Sequence, residues 1–179
     1  MRQNIQMMIS EEEIRQRVKE LGRLIEADYS GKDLVVIGLL KGVFPFFADL
    51  VRAIDLDFHV TFMRISSYGF DLESSGKVKI LQDIDTQISG KNVLIVEDII
   101  DTGQTLAMTL EHLKTQSPAS IRICVLLDKP SRRIVDVPVD YVGFSIKDVF
   151  VVGYGLDARE MYRNLPYIGI FHTESNLVT

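Results

Sequence analysis

The chain has 179 residues, a hydrophobic fraction of 46%, a charged fraction of 25% and a formal net charge of −5 at pH 7. This composition excludes a fibrous or disordered protein, and we expect residues 1–179 to form a single domain. The acidic charge argues against a generally basic surface for nucleic acid. No apolar run reaches the roughly 18 residues of a membrane span, and the N-terminus lacks a signal-peptide core, so we expect a cytoplasmic protein without a membrane partner.

The N-terminal part of the chain predicts a helix, a strand and a second helix. Ser10 and Glu13 have the spacing of a helix capping box, and apolar residues then recur at helical intervals until Gly31. Asp33–Leu40 is a short apolar run typical of a strand. The segment after it predicts a helix that accepts Pro45 in its first turn.

Two more strands are predicted next, at Phe58–Tyr68 and Lys77–Ile84. The segment between them, residues 69–76, has the polar sequence GFDLESSG. Because it has little apolar surface to bury, we expect a mobile excursion from the sheet.

The second half of the chain alternates strands and helices. Val93–Val96 predicts a strand, residues from about 103 to 116 predict a helix, and Ser120–Asp128 predicts another strand. Two further short strands are predicted at Tyr141–Ile146 and Phe150–Gly155, followed by a polar tail rich in turn residues. This alternation indicates an α/β fold with a mainly parallel sheet.

The motif VLIVEDIIDTGQTL, residues 93–106, places acids at the end of an apolar strand. Glu97 and Asp98 follow the strand directly, and Asp101 comes soon after. In open parallel sheets, ligands bind beyond the carboxyl ends of the strands, where these acids would lie. The next helix start, Thr102–Thr105, offers free N–H groups that suit a phosphate. Since acids repel a phosphate, we expect them to bind Mg²⁺ or sugar hydroxyls, and the ligand indicated is a sugar phosphate.

Other interpretations of this motif are weaker. Any one acid alone could be a helix N-cap or a solvated strand end, but their combination is not typical of either. Asp-Thr-Gly at residues 101–103 also occurs in aspartic proteases, which have an all-β framework, whereas a helical pattern follows here. A P-loop is excluded because its glycine and lysine spacing is absent.

The motif closely resembles the PRPP-binding signature of type I phosphoribosyltransferases, and its EDIIDTG form is similar to that of hypoxanthine-guanine phosphoribosyltransferases. Further stretches match in the same order, namely LLKG (39–42), SSYG (66–69), LLDKP (126–130), FVVGYGLD (150–157) and YRNLPYIG (162–169). The resemblance implies the type I phosphoribosyltransferase fold, in which helices flank a central, mainly parallel, twisted sheet and the terminal segments form a small hood.

The resemblance also implies a reaction. In purine salvage, this family transfers the 5-phosphoribosyl group from PRPP to hypoxanthine or guanine, giving IMP or GMP and pyrophosphate, with Mg²⁺ as cofactor. We therefore expect PRPP and a 6-oxopurine base as substrates, and a homodimer or homotetramer as the assembly. A xanthine-preferring enzyme and an RNA-binding regulator of the same fold are the alternatives.

By the same resemblance, the acids and the loop after them bind PRPP. Glu97 and Asp98 would hold the ribose hydroxyls and Mg²⁺, and Asp101 would be the general base near N7 of the purine. The residues that would cradle the 5′-phosphate are Thr102, Gly103, Gln104 and Thr105. Family members often carry Lys or Arg where this chain has Gln104, so a side-chain charge for the phosphate is missing here.

The leaving pyrophosphate would be bound by two other segments. Lys41 and Gly42 would form a pyrophosphate loop, with a cis peptide bond between Leu40 and Lys41. Arg163 would pair with pyrophosphate oxygens through its planar guanidinium. Asp157, which ends the purine-binding stretch, would ligate a Mg²⁺ that bridges the pyrophosphate.

The purine would lie between the remaining segments of the site. Lys129 would donate to the 6-oxo oxygen and thereby reject adenine. Phe150 would stack on the base, and Val151 would present backbone groups to its edge. Ser67 and Tyr68 would lie on a flexible loop that closes over the reaction.

Overall fold

A mainly parallel six-stranded sheet forms the centre of the protein. The structure is a computed structural model that describes residues 4–67 and 78–172. Its elements in chain order are β1 (Ile5–Ile9), α1 (Glu11–Tyr29), β2 (Leu34–Leu40), α2 (Phe44–Arg52), β3 (His59–Ser67), β4 (Val78–Gln82), β5 (Asn92–Ile100), α3 (Gln104–Lys114), β6 (Ser120–Asp128), β7 (Tyr141–Ser145), β8 (Val151–Val152) and β9 (Ile168–Phe171).

The strand order of the large sheet is β4-β3-β2-β5-β6-β7. All neighbours pair in parallel except β3 and β4, which are antiparallel. A separate three-stranded sheet with the order β1-β9-β8 joins the two ends of the chain. The predicted α/β fold with a mainly parallel central sheet is therefore confirmed, and we call the small sheet the hood.

The sheet separates two hydrophobic cores, because successive residues of a strand point to opposite faces. Leu34 and Val36 of β2 pack with buried residues of α1 and α2, whereas Val35 and Ile37 pack on the face that α3 covers. Each fully buried aliphatic side chain of this kind stabilises the fold by roughly 1.5–3 kcal/mol. The central strands are thus fixed on both faces, and their carboxyl ends form a rigid edge.

The helix starts follow the predicted local chemistry. Ser10 caps α1 with a complete capping box, in which the Glu13 amide donates to Ser10 Oγ at 3.3 Å and the Ser10 amide donates to Glu13 Oε2 at 2.8 Å. Pro45 lies in the first turn of α2, where a missing N–H leaves no intrahelical bond unmade. Both predictions are confirmed.

Two segments differ from the sequence-based expectation. The predicted turn-rich tail contains β9, which pairs antiparallel with the unpredicted β1 in the register Ile5↔Phe171. The strand predicted at Phe150–Gly155 is only Val151–Val152, because Gly153, Tyr154 and Gly155 have positive φ angles of 98°, 48° and 99° that leave the β region. The local pattern did not predict β9 because a strand so short is stabilised mainly by its distant partner, whereas the small hood of terminal segments that the resemblance implied is confirmed.

The acidic strand continues further than predicted. β5 extends to Ile100, so that Glu97 and Asp98 lie within the strand rather than after it. The reason is parallel pairing with β6, in which Glu97 lies opposite Val125 and Ile100 opposite Asp128. This pairing holds the acids on regular backbone instead of a loop.

Part of the predicted loop lies outside the described residues. Tyr68, Lys77 and the polar excursion at residues 69–76 belong to this part of the chain. The backbone of Ser67 ends β3 and pairs with Val78 in the antiparallel ladder. Within the described ranges, no helix has the length and apolar character needed to cross a membrane.

The close contact between α1 and α2 gives a test of the packing. A Cβ atom on Gly22 would lie 2.4 Å from the carbonyl oxygen of Ala53. We expect Gly22→Ala to lower the free energy of unfolding by about 1–2 kcal/mol, because overpacking outweighs the gain of about 1 kcal/mol in helix propensity. Urea denaturation measures this change. Arg23→Ala, at an exposed position of the same helix, is the control, and an unchanged midpoint for Gly22→Ala would contradict the packing.

Candidate active site

A pocket of about 290 Å³ lies beyond the carboxyl ends of the adjacent strands β2 and β5. Its apolar lining comes from Leu39, Leu40, Ile65, Ile99, Ile100 and Leu106. The predicted site residues that also line it are Lys41, Gly42, Glu97, Asp98, Asp101, Thr102, Gly103, Thr105, Asp157 and Arg163. The fold therefore brings most of the predicted PRPP-binding segments to one place.

The remaining predicted residues lie beside this pocket or face elsewhere. Phe150, with half of its surface exposed, lines a second and larger cavity of about 900 Å³, to which Asp157 also contributes. Lys129 and Val151 are buried. Gln104 is exposed at the start of α3 and is not among the residues that line the first pocket.

Glycines allow three segments of the site to meet. A Cβ atom on Gly42 would lie 1.7 Å from Asp98 Oδ2, and one on Gly155 would lie 1.8 Å from the carbonyl oxygen of Gly42. Gly155 also has a φ of 99°, which only glycine adopts without strain. The peptide bond between Leu40 and Lys41 is cis, as the resemblance implied. The pyrophosphate loop is thus in direct contact with the acids of β5 and with the turn that follows β8 of the hood.

Glu97 and Asp98 are adjacent acids with few partners. The Asp98 amide donates to Glu97 Oε1 at 3.3 Å, and the Ile99 amide donates to Asp98 Oδ1 at 2.9 Å. Neither carboxylate has a Lys, Arg or His at ion-pair distance within the described ranges. Burial, followed by repulsion from Asp98, raises the pKa of Glu97 well above its usual value. Paired oxygen donors without a protein cation fit a hard divalent cation such as Mg²⁺.

The loop after β5 has the geometry of a phosphate cradle. Gly103, with a φ of 86°, is the N-cap of α3, so the free N–H groups of the first helical turn face the loop. The amides of Ile134 and Val135 both donate to the carbonyl of Thr102 at 3.0 Å. A Cβ atom on Gly103 would lie 2.5 Å from the carbonyl oxygen of Val135. The segment after β6 therefore fixes the cradle from behind.

Cations and acids alternate on the hood side of the pocket. Arg163 donates through Nη1 to the carbonyl of Gly155 at 2.7 Å, and its Nη2 lies 2.7 Å from Asp157 Oδ1. Sequence reasoning did not single out Glu160, whose carboxylate lies 3.2 Å from Lys41 Nζ and 3.3 Å from Arg163 Nη2. Hydrogen bonds from these two cations lower the pKa of Glu160. The two groups proposed to bind pyrophosphate thus share an internal carboxylate.

Asp101 and Lys129 also have partners that sequence reasoning missed. Asp101 Oδ1 accepts a hydrogen bond from Arg132 Nε at 2.9 Å, and this bond raises the pKa of Arg132. Lys129 Nζ lies 3.8 Å from Asp148 Oδ1. The only signal for these contacts in the sequence is the basic pair Arg132-Arg133 shortly after Pro130. Nothing local in the sequence indicates which acid this pair contacts.

Comparison with known proteins agrees with this geometry. The model of the phosphoribosyl transferase domain matches residues 8–159. The chain belongs to this family. Hypoxanthine phosphoribosyltransferase of Escherichia coli (strain K12) is 54% identical over 171 residues, which cover 94% of this chain and 96% of that protein.

Other members of the phosphoribosyltransferase family are similarly close. Hypoxanthine-guanine phosphoribosyltransferase of Bacillus subtilis (strain 168) is 51% identical over 164 residues, covering 92% of this chain and 91% of that protein. The crystal structure of a hypoxanthine phosphoribosyltransferase from Staphylococcus aureus superposes with a TM-score of 0.91 at 47% identity, covering 96% of this chain and 94% of that one. The similarity therefore includes both the large sheet and the hood.

The raised pKa of Glu97 predicts a pH dependence of stability in the metal-free protein. Between the unfolded value of 4.5 and the higher folded value, the folded chain binds a proton that the unfolded chain has released. The free energy of unfolding should therefore fall as pH rises through this window. We expect Glu97→Gln to remove this contribution to the fall in the free energy of unfolding. The thermal midpoints at about pH 5 and about pH 8 should then differ less than in the unsubstituted protein.

Glu111→Gln, which changes an exposed acid on α3, is the matched control and should keep the original pH profile. Both proteins are measured by thermal denaturation in chelator. Equal profiles for Glu97→Gln and the unsubstituted protein would show that Glu97 is not destabilising in the folded state.

Proposed function

We propose that the protein transfers the 5-phosphoribosyl group from PRPP to hypoxanthine or guanine, giving IMP or GMP and pyrophosphate, as a single-domain enzyme of purine salvage. The observation that carries this proposal is the pocket in which acids, a phosphate cradle and cations meet at one sheet edge. Relatives about half identical over nearly the whole chain have names of this activity. A xanthine-preferring enzyme and an RNA-binding regulator are not favoured, because neither activity is in those names.

The reaction replaces pyrophosphate by a purine nitrogen at the anomeric carbon, through a transition state with oxocarbenium character. Charge develops on the leaving pyrophosphate, and Lys41 and Arg163 face the place where it would lie. The described residues contain no cluster of three acids, His or Cys side chains for a metal. Glu97 and Asp98 would hold Mg²⁺ at the ribose hydroxyls and Asp157 would hold Mg²⁺ at the pyrophosphate, where it would neutralise part of this charge. The 5′-phosphate would accept hydrogen bonds from the backbone of Thr102–Thr105, with no cation from Gln104.

The purine is contacted by side chains at the ends of the neighbouring strands β5 and β6. Asp101 accepts the proton or hydrogen bond of N7 while a purine nitrogen attacks the anomeric carbon of the sugar. Lys129 donates to the 6-oxo oxygen, which adenine lacks. Phe150 is exposed enough to stack on the base, and the backbone of Val151 lies beside it in the hood. This arrangement favours 6-oxopurines over 6-aminopurines.

We also propose a cytoplasmic homodimer or homotetramer. Phe44 of α2 and Val60 and Phe62 of β3 are large apolar residues with at least about a third of their surface exposed. Val60 and Phe62 point to the same face of the sheet because they are two residues apart on one strand. Exposed apolar residues on one face, as Val60 and Phe62 are, are typical of a surface between subunits.

The role of Asp101 predicts a specific defect. We expect Asp101→Asn to lower kcat by about 10² to 10⁴, because an amide cannot take up the N7 proton. The measurement is a spectrophotometric assay of nucleotide formation with PRPP, Mg²⁺ and each of hypoxanthine, guanine, xanthine and adenine. Asp57→Asn, an exposed residue before β3, is the control. An unchanged rate for Asp101→Asn would reject the general base, and turnover of adenine alone would reject the base assignment.

The ion pairs of Glu160 predict that removal of its charge strengthens binding rather than weakening it. It occupies the cations that pyrophosphate needs, so we expect Glu160→Gln to tighten pyrophosphate binding roughly two- to fivefold, the range for an exposed ion pair. Product inhibition by pyrophosphate measures this change, and the KM for hypoxanthine should not move. Glu20→Gln, which removes the acid of an ion pair on α1, is the matched control. Weaker pyrophosphate binding would instead indicate that Glu160 orders Lys41 and Arg163.

A further inference from the structure

Four charged side chains form an alternating row beside the pocket. Asp101 Oδ1 lies 2.9 Å from Arg132 Nε, and Arg132 Nη1 lies 3.6 Å from Asp148 Oδ2. The other oxygen of Asp148 lies 3.8 Å from Lys129 Nζ. The two outer members are the groups assigned to the purine, whereas Arg132 and Asp148 do not line the pocket described above. The inner pair therefore links the two purine-reading groups.

Burial explains why the lysine end of this row needs an acid. The Lys129 side chain is only 9% exposed, and a buried ammonium is unstable without a partner. Within residues 4–67 and 78–172, Asp148 is the only acid at ion-pair distance from Lys129. If Asp148 were neutral, the next acid along the row would be Asp101. Asp148 thus gives Lys129 a partner other than Asp101, the carboxylate that we assign to N7.

The arginine end of the row is fixed by the backbone. Arg132 ends a short 3-10 turn, and its amide donates to the carbonyl of Lys129 at 3.1 Å. The next residue, Arg133, pairs with Asp128 and donates to the carbonyl of Asp101 at 3.4 Å. The segment that carries Arg132 is therefore held by hydrogen bonds to the residues that follow both β5 and β6. Its guanidinium can hold one oxygen of Asp101 and leave the other for the purine.

We propose that Arg132 and Asp148 are positioning residues for purine recognition, a role that rests on the proposed function. Arg132 fixes the rotamer of Asp101, and Asp148 fixes both Arg132 and Lys129. The contact with N7 and the contact with the 6-oxo oxygen are therefore set together. A base that makes only one of the two contacts leaves the other side chain, Asp101 or Lys129, without a partner on the base, because that side chain is fixed in place.

The proposal predicts a kinetic defect for substitution of each residue. Arg132→Ala should lower kcat by about 10²-fold with little change in the KM for PRPP, because a small misplacement of a reacting group has an effect of this size. Arg132→Lys should restore part of the rate, since it returns the charge without the planar fork. Asp148→Asn should raise the KM for hypoxanthine roughly tenfold, as expected for loss of a charged partner.

A double-mutant cycle decides whether Arg132 acts through Asp101. In the Asp101→Asn protein, adding Arg132→Ala should change kcat by less than about threefold, because the group that Arg132 positions is already altered. Arg15→Ala, at an exposed arginine paired with Glu12 on α1, is the control for loss of a surface arginine. Thermal midpoints are measured for every variant. If Arg132→Ala does not fold, the cycle is run with Arg132→Gln.

The outcomes separate this proposal from the proposed function. A full effect of Arg132→Ala in the Asp101→Asn protein overturns the positioning role, and so does a kcat within about twofold of the unsubstituted protein. An equal rise in the KM for PRPP and for hypoxanthine also overturns it, because that result indicates a general structural role. If Asp101→Asn alone has no effect, the proposed function of Asp101 has failed instead.

Discussion

The contact of Gly42 with Asp98 and Gly155 is the constraint on which the site depends. No side chain fits at either glycine, since a Cβ atom would lie within 2 Å of Asp98 Oδ2 or of the Gly42 carbonyl oxygen. Close approach is what places the ends of β2 and β5 against the turn after β8, although β8 belongs to the hood and not to the large sheet. The hydrophobic cores hold the two strands, and the glycines then bring the three segments within reach of one ligand.

The charges of the site are arranged so that a bound metal–pyrophosphate ligand would change the internal interactions on both sides of the pocket. On the β5 side, Glu97 and Asp98 lie together without a described cation and repel each other. On the hood side, Lys41 and Arg163 are already paired with Glu160. A metal–pyrophosphate ligand would relieve the repulsion on one side and displace a carboxylate on the other. The free protein is thus less stable at the site than it could be, as is common where binding and stability compete.

Local patterns predicted the parts of the fold that local chemistry determines. The capping box of Ser10 and Glu13 and the apolar run of β5 are confirmed, and the family resemblance identified the segments that line the pocket. Local patterns missed the pairing of β1 with β9 because its two strands lie far apart in the sequence, and only the resemblance implied a hood of terminal segments. Arg132 was missed for the same reason, since its partner is Asp101, 31 residues earlier. Long-range contacts leave no periodic signal in the sequence.

The register of two strands sets the spacing of Asp101 and Lys129, the two residues that we propose to contact the purine. Ile100 of β5 lies opposite Asp128 of β6, and the amide of Lys129 donates to the carbonyl of Ile100 at 3.1 Å. Asp101 and Lys129 therefore leave the sheet side by side, at about the 4.8 Å spacing of neighbouring strands. The adjacent N7 and 6-oxo positions of the base require two groups at close and fixed spacing. Strand pairing sets the backbone part of that spacing, and only the side-chain directions are left for neighbouring charges to determine.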